Sequence, residues 1–271
     1  MSLLEAIILG IIQGATEFLP ISSSGHLVLL PYIFDMTEPD LSLIAMVHEG
    51  TLLAVLIYFR RDVWEIIKGV LAGLRLGRPL ATAESRLGWY IVVGTIPAAL
   101  AGLLLEDFFE AVFGTPSAAA FFLLVTAIFL VAGERMLSGR KGIGEMSWFD
   151  AIVVGVFQML ALFPGLSRSG STIAAGLWRG LDRTAAARYS FLLGMPAFFG
   201  AGLLSSFDIM AAGDLITRLP VFAVSFVAAA VSGYACIHFL LSWLRQRSLY
   251  VFAIYCAAFG TLFLLSTLRI Q

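Results

Sequence analysis

Glu17, Ser22, Ser23, Ser24 and His26 fall in one short stretch of otherwise apolar sequence, and Ser167, Arg168, Ser169, Ser171 and Thr172 fall in another. Hydroxyls, an imidazole, a carboxylate and a guanidinium are the parts of a phosphoryl- or acyl-transfer site. Arg168 favours phosphoryl transfer, because its planar fork of N–H donors suits phosphate oxygens. The Ser/Gly-rich break from Ser167 to Thr172 points the same way, since amides at the start of a helix, aided by its dipole, cradle anions. Gln13 and Glu17 are four apart and share a helix face. Polar groups placed in hydrocarbon are costly, which makes them candidate functional residues.

Each also has a structural alternative. Arg168 could snorkel or cap a helix, Glu17 could pair with Arg168 for structure alone, and His26 could be a core histidine bonded to backbone. Ser24, Ser169 and Ser171 could equally be caps or packing residues. His48 and Glu49, at the outer end of a span near the first stretch, are expected at an interface, with a role at the rim of the site as the alternative; His238 is expected at an interface, and Glu106, Asp107 and Glu110 as a solvated acidic loop. Cys236 and Cys256, the only two cysteines, lie in apolar segments and are expected to pack rather than pair.

The two stretches carry one pattern. Gly10, Gln13, Phe18, Ser22, Ser24 and Gly25 recur as Gly155, Gln158, Phe163, Ser167, Ser169 and Gly170, always 145 positions later. Ser23 in the first copy stands where Arg168 stands in the second. Proline and glycine at Pro20–Gly25 and Pro164–Gly170 should break a helix in each copy, and the repeat predicts that the two breaks meet.

The elements that carry these breaks belong to a membrane. The chain is 60% hydrophobic and 13% charged, with a mean hydropathy of +0.95, against about 45–50% apolar and 25% charged in soluble domains. Its net charge of −1 says nothing about partners, and no basic run suggests nucleic acid, so no nucleic-acid partner is expected. The N-terminus lacks the positive region of a cleavable signal. Six apolar runs are long enough or nearly so to cross: Leu43–Phe59, Gly88–Leu105, Ala118–Gly133, Tyr189–Phe207, Leu219–Leu244 and Leu249–Leu268. Lysine and arginine collect in 60–87, 135–149, 179–188 and 245–248, whereas 35–42 and 106–115 hold none and 208–218 only Arg218. The basic segments are therefore cytoplasmic, and all five tryptophans lie near that side. Residues 150–178 must then enter and leave from the cytoplasm, and 1–34, if built alike, from outside. The expected fold is an all-α integral membrane protein: an inverted-topology repeat, 1–134 and 135–271, with about six transmembrane helices and two re-entrant helical hairpins meeting at the midplane.

The stretches Gln13–His26 (QGATEFLPISSSGH) and Pro164–Thr172 (PGLSRSGST) resemble the two signature motifs of the undecaprenyl-diphosphate phosphatase family, the bacitracin-resistance family of bacteria. The likeness extends over nearly the whole chain, including Gly50–Val55 and Gly94–Pro97. It implies a phosphatase of the bacterial cytoplasmic membrane. Such an enzyme removes the terminal phosphate of a C55 polyprenyl diphosphate through a site open to the outer side, recycling the lipid carrier for wall synthesis and conferring bacitracin resistance. Family residues carried over are Glu17, Ser22, Ser23, His26, Ser167, Arg168 and Thr172. The family's first motif often has two glutamates thought to hold a divalent cation such as Mg or Ca; here Gln13 replaces the first, so a Gln13–Glu17 metal site would have one carboxylate. The expected partners are the lipid and the bilayer, and a homodimer is compatible with them.

The mechanism expected from the resemblance has Ser23 attack the terminal phosphorus with His26 as base and later acid. Glu17 orients His26 or binds the cation, while Arg168, Ser22, Ser167, Ser169, Gly170 and Thr172 hold the phosphates. Histidine as the direct nucleophile is a variant. The competing class is a transporter or flippase of polyprenyl phosphate, because inverted repeats with broken helices also mark alternating access.

Overall fold

The computed structural model describes residues 1–34, 36–105, 108, 109, 112, 115–212 and 215–268, without the side chains of 204–212, 215, 216, 267 and 268. The expected acidic loop of Glu106, Asp107 and Glu110 lies outside the described residues. The described chain is helical, with one isolated β-bridge between Lys141 and Leu181. The helices are α1 (Leu3–Phe18), α2 (Ser23–Phe34), α3 (Leu41–Tyr58), α4 (Arg60–Arg75), α5 (Ala83–Leu104), α6 (Pro116–Arg135), α7 (Trp148–Leu160), α8 (Arg168–Trp178), α9 (Arg183–Ala212), α10 (Leu215–Leu244) and α11 (Tyr250–Leu268).

Four stretches among them, Leu41–Tyr58, Ala83–Leu104, Pro116–Arg135 and Thr217–Leu244, are long and apolar enough to cross a membrane. Shorter apolar helices, Ser23–Phe34, Trp148–Leu160 and Tyr250–Ser266, accompany them. The apolar run Tyr189–Phe207 falls within α9. This is a multi-pass helical membrane architecture. Exposed Leu100, Phe121, Ile128, Val231 and Ile254 supply the apolar outer surface that a bilayer requires.

Both helix breaks appear where proline and glycine predicted them. α1 stops at Phe18 and α2 starts at Ser23; α7 stops at Leu160 and α8 starts at Arg168. Each makes a helical hairpin, and the halves pack crosswise: α1 lies chiefly on α10, and α7 on α5. The repeated glycines explain how. A Cβ on Gly10 would strike the Ser225 carbonyl of α10, and one on Gly155 would strike the Gly94 carbonyl of α5. Small residues let membrane helices approach this closely.

One helix was not anticipated. The segment 60–87 reads as a basic connection, yet Arg60–Arg75 forms α4, with Asp62 in its first turn and Arg75 in its last, complementing the helix dipole. Ion pairs gather around this end: Arg188 with Asp62, Arg183 with Glu134 (2.6 Å), and Arg179 and Lys141 with the fully buried Asp150 (2.8 and 3.2 Å). At another connection, Arg218 pairs with Asp40 at 2.6 Å, where Asp40 also caps α3 through the Leu43 amide.

Candidate functional site

The two hairpin tips meet, and they repeat one another's hydrogen bonds. Ser22 Oγ accepts from the Gly25 amide at 3.2 Å, and Ser167 Oγ from the Gly170 amide at 3.0 Å. Each is thus a side-chain cap at the start of a helix. Ser22 Oγ lies 3.2 Å from Ser24 Oγ, and Ser167 Oγ 3.2 Å from Ser169 Oγ. The tips are also stitched to each other: the Gly165 amide donates to Ser24 Oγ and Ser169 Oγ donates to the Leu19 carbonyl, both at 3.2 Å. Gly165 has φ +88° and presses so closely on Ala119 that a side chain could not be built there. Ser22, at φ +71°, holds a conformation that side chains rarely adopt.

This stitching delivers Ser23 and Arg168, the first residues of α2 and α8, to one carboxylate. Ser23 Oγ donates to Glu17 Oε2 at 2.5 Å, and Arg168 Nη2 donates to Glu17 Oε1 at 2.8 Å. Gln13 Nε2 donates to Oε2 at 2.9 Å. Arg168 is fixed further by Nη1 on the Ser190 carbonyl at 2.9 Å and by the Phe198 ring, 4.7 Å from its Cζ. A Cβ on Gly194 would stand 2.6 Å from Nη1, so glycine there makes room for the guanidinium. Glu17 and Arg168 retain only 4% and 13% of their side-chain exposure. Such a pair depends on hydrogen bonds to its other polar atoms: both Glu17 oxygens and both Arg168 Nη atoms are bonded, while Arg168 Nε has no partner.

A cavity of about 350 Å³ opens over this cluster, lined by Glu17, Ser22, Ser23, Ser24, Gln158 and Arg168 among others. A second, of about 310 Å³, runs toward Glu38, Pro39 and Leu41. Ser24 and His48 line both. A larger hollow of about 810 Å³ between α6 and α11 is almost wholly apolar and contains none of these residues.

The remaining expected site residues do not line this cavity. Ser167, Ser169, Gly170 and Thr172 are buried behind the cavity. Thr172 Oγ1 bonds the Arg168 carbonyl at 2.7 Å and Ser190 Oγ at 2.6 Å, which braces the carbonyl that holds Arg168. His26 is not directed at Ser23. Its Nδ1 pairs with the Ser22 carbonyl and its Nε2 with Tyr255 Oη, both at 2.7 Å, and the ring stacks on Phe259.

Of the two readings of His48, interface or site rim, the structure favours the site: its Nε2 is 3.7 Å from Glu17 Oε2. Its Nδ1 meets the Ile44 carbonyl at 2.7 Å and so carries a hydrogen, because a carbonyl only accepts. In the neutral ring Nε2 is then the basic nitrogen. The signal was its register on α3, three residues from Thr51 and seven from Val55, both fully buried. Thr126 was missed as well; its hydroxyl donates to the Gly165 carbonyl at 3.1 Å and accepts from the Ser167 amide at 2.9 Å.

The donor set at the tips does not make a protein-only metal site. Glu17 is the one carboxylate between Gln13 and Arg168, and both its oxygens are engaged. Among the described residues no group of three or more His, Cys, Asp or Glu could hold a metal ion.

Residues 6–262 match the family described as bacitracin resistance protein BacA. An undecaprenyl-diphosphatase of Thermomicrobium roseum is 44% identical over 272 residues, covering 98% of this chain and 98% of that protein. An undecaprenyl-diphosphatase of Myxococcus xanthus is 43% identical over 264 residues, covering 97% and 89%. One from Methanosphaera stadtmanae is 43% identical over 269 residues, covering 96% of each.

Proposed function

The chain belongs to the bacitracin resistance protein BacA family, and on that footing we propose that it hydrolyses undecaprenyl diphosphate to undecaprenyl phosphate and inorganic phosphate. The observation that carries the assignment of the site is the shared carboxylate: Ser23 and Arg168, from different hairpins, hold opposite oxygens of Glu17 at the floor of one cavity. Two tips that served only as symmetric gates would not need Glu17 in one and Leu162 in the equivalent place of the other.

Substrate enters with its terminal phosphate against Arg168, whose guanidinium offsets the charge of the phosphoryl oxygens. Ser23 Oγ bonds to the terminal phosphorus, and the bond from phosphorus to the bridging oxygen breaks. The electron pair leaves with undecaprenyl phosphate. The Ser23 proton passes to Glu17, with His48 Nε2 beside the same oxygen to relay it. Water then attacks the phosphoserine, inorganic phosphate departs, and the proton returns to Oγ. His26 holds the Ser22 carbonyl, and so the turn that aims Ser23. The second cavity leads toward the connection before α3, which charge distribution puts on the outer side, and supports a site open to that face. A divalent cation, where required, would be carried by the diphosphate rather than by Gln13 and Glu17.

The test is phosphate release from C55 diphosphate by the purified protein in detergent, beside Glu17→Ala and Arg168→Ala. Release lost in both variants supports the assignment. A folded wild-type protein that binds the lipid and releases no phosphate, with divalent cations supplied, overturns it.

A further inference from the structure

We propose that Gln158 binds the water that hydrolyses the phosphorylated Ser23, and holds it against the phosphoryl group. This rests on the phosphatase reading above. Gln158 lines the tip cavity together with Ser23 and Arg168. It is only 3% exposed, and both its side-chain nitrogen and its side-chain oxygen lack a hydrogen-bond partner. A buried amide in that condition carries a desolvation penalty with nothing to offset it.

The repeat explains why the amide is left free. Gln13, its counterpart 145 positions earlier, donates to Glu17, the residue one helical turn on. The residue one turn beyond Gln158 is Leu162, which offers no polar atom and lines the same cavity. One hairpin thus ties its amide nitrogen to a carboxylate, leaving only Gln13 Oε1 without a partner, whereas the other leaves both ends of its amide unpartnered at the cavity wall.

Its two ends ask for different chemistry. Nε2 needs an acceptor, which a phosphoryl oxygen supplies. Oε1 needs a donor, which an ionised phosphoryl group lacks and a water molecule has. A phosphoryl group with a water beside it satisfies both ends, and those are the two reactants of the second half-reaction. The water oxygen bonds to phosphorus, the bond from phosphorus to Oγ breaks with its electron pair returning to Oγ, and the proton shed by water ends on Oγ. Glutamine has this water-positioning role in other phosphoryl-transfer enzymes.

The experiment compares Gln158→Leu and Gln158→Met with the wild type in detergent, reading thermal unfolding, steady-state phosphate release and acid-trapped phosphoserine at Ser23. Methionine matches the length and flexibility of glutamine, so it decides the matter should the branched leucine not fold. The expected result is a melting temperature equal to or above that of the wild type, with release down about 100-fold and phosphoserine accumulating. Release within about threefold of wild type from a folded variant overturns the proposal, since a positioned group of this kind contributes about 100-fold or more. So does a melting temperature that falls in step with activity in both variants, which would make the amide structural. An inactive wild type would instead sink the phosphatase reading itself.

Discussion

Glu17 Oε1 and Arg168 Nη2 lie 2.8 Å apart although 151 positions separate them in sequence. One pair thus joins the two hairpins and also sets the charge of the cavity floor. Arg168→Ala is expected to lower phosphate release by about 10³-fold or more, the scale of a transition-state arginine. It should also cost about 3–5 kcal/mol of stability by leaving Glu17 buried and unpaired. Arg168→Ala combined with Glu17→Gln should recover much of that stability and none of the activity. Thermal unfolding and release assays on the single and double variants check both halves, and additive stability losses would count against the pairing.

Ser23 differs from its neighbours in having its hydroxyl on Glu17, whereas Ser22 caps α2 and Ser24 ties down Gly165. Ser23→Ala should abolish phosphoenzyme and reduce release at least about 100-fold with little change in melting temperature. Ser22→Ala should act first on stability, by about 1 kcal/mol for a lost cap. Mass spectrometry of the acid-quenched enzyme locates the phosphate; finding it on a histidine would remove Ser23 as nucleophile.

Gln13 supplies an amide where a second carboxylate would create a cation site. Gln13→Glu would set two carboxylates one turn apart on Glu17's face, and like charges in that position repel unless a cation sits between them. The variant is expected to gain a dependence on divalent metal, seen as deeper inhibition by chelator and a rise in melting temperature with added Mg. An unchanged chelator response would show that the position does not govern metal use.

His26 and Tyr255 act as a unit in this structure, their bond being 2.7 Å long. His26→Ala and Tyr255→Phe should therefore be non-additive in a double-mutant cycle, with a coupling of about 0.5–3 kcal/mol. His48→Ala should be additive with Tyr255→Phe, because His48 faces Glu17 instead. The reverse pattern would return His26 to the proton-transfer role.

The sequence made the meeting of the tips legible because the repeat is dense: two breaks with the same caps at the same offset must be built alike, and Ser23 and Arg168 follow as neighbours. The family follows from the same two motifs. What escaped was what reaches the site from other helices. His48 is one residue in α3 and Thr126 one residue in α6, and no motif flags either; only three-dimensional packing brings Thr126 to Gly165 and Ser167. The hydrogen-bond partner of His26 was not legible for a related reason, since Tyr255 lies in the last helix. The helix α4 is legible in its spacing: Val63, Ile66, Ile67, Val70, Leu71 and Leu74 keep a helical period through the charges.

The crosswise packing of the halves also orders the protein's birth. α1 leaves the ribosome first, yet its main support, α10, begins only at Leu215. Until then the face carrying Gly10 and Gly14, shaped to receive Ser225, Ala228 and Ser232, has no mate. A nascent chain halted before α10 would present that groove of small residues and the polar tip to lipid. Synthesis must therefore reach α10 before the first hairpin can settle, which gives membrane quality control a long interval in which to recognise an unfinished chain.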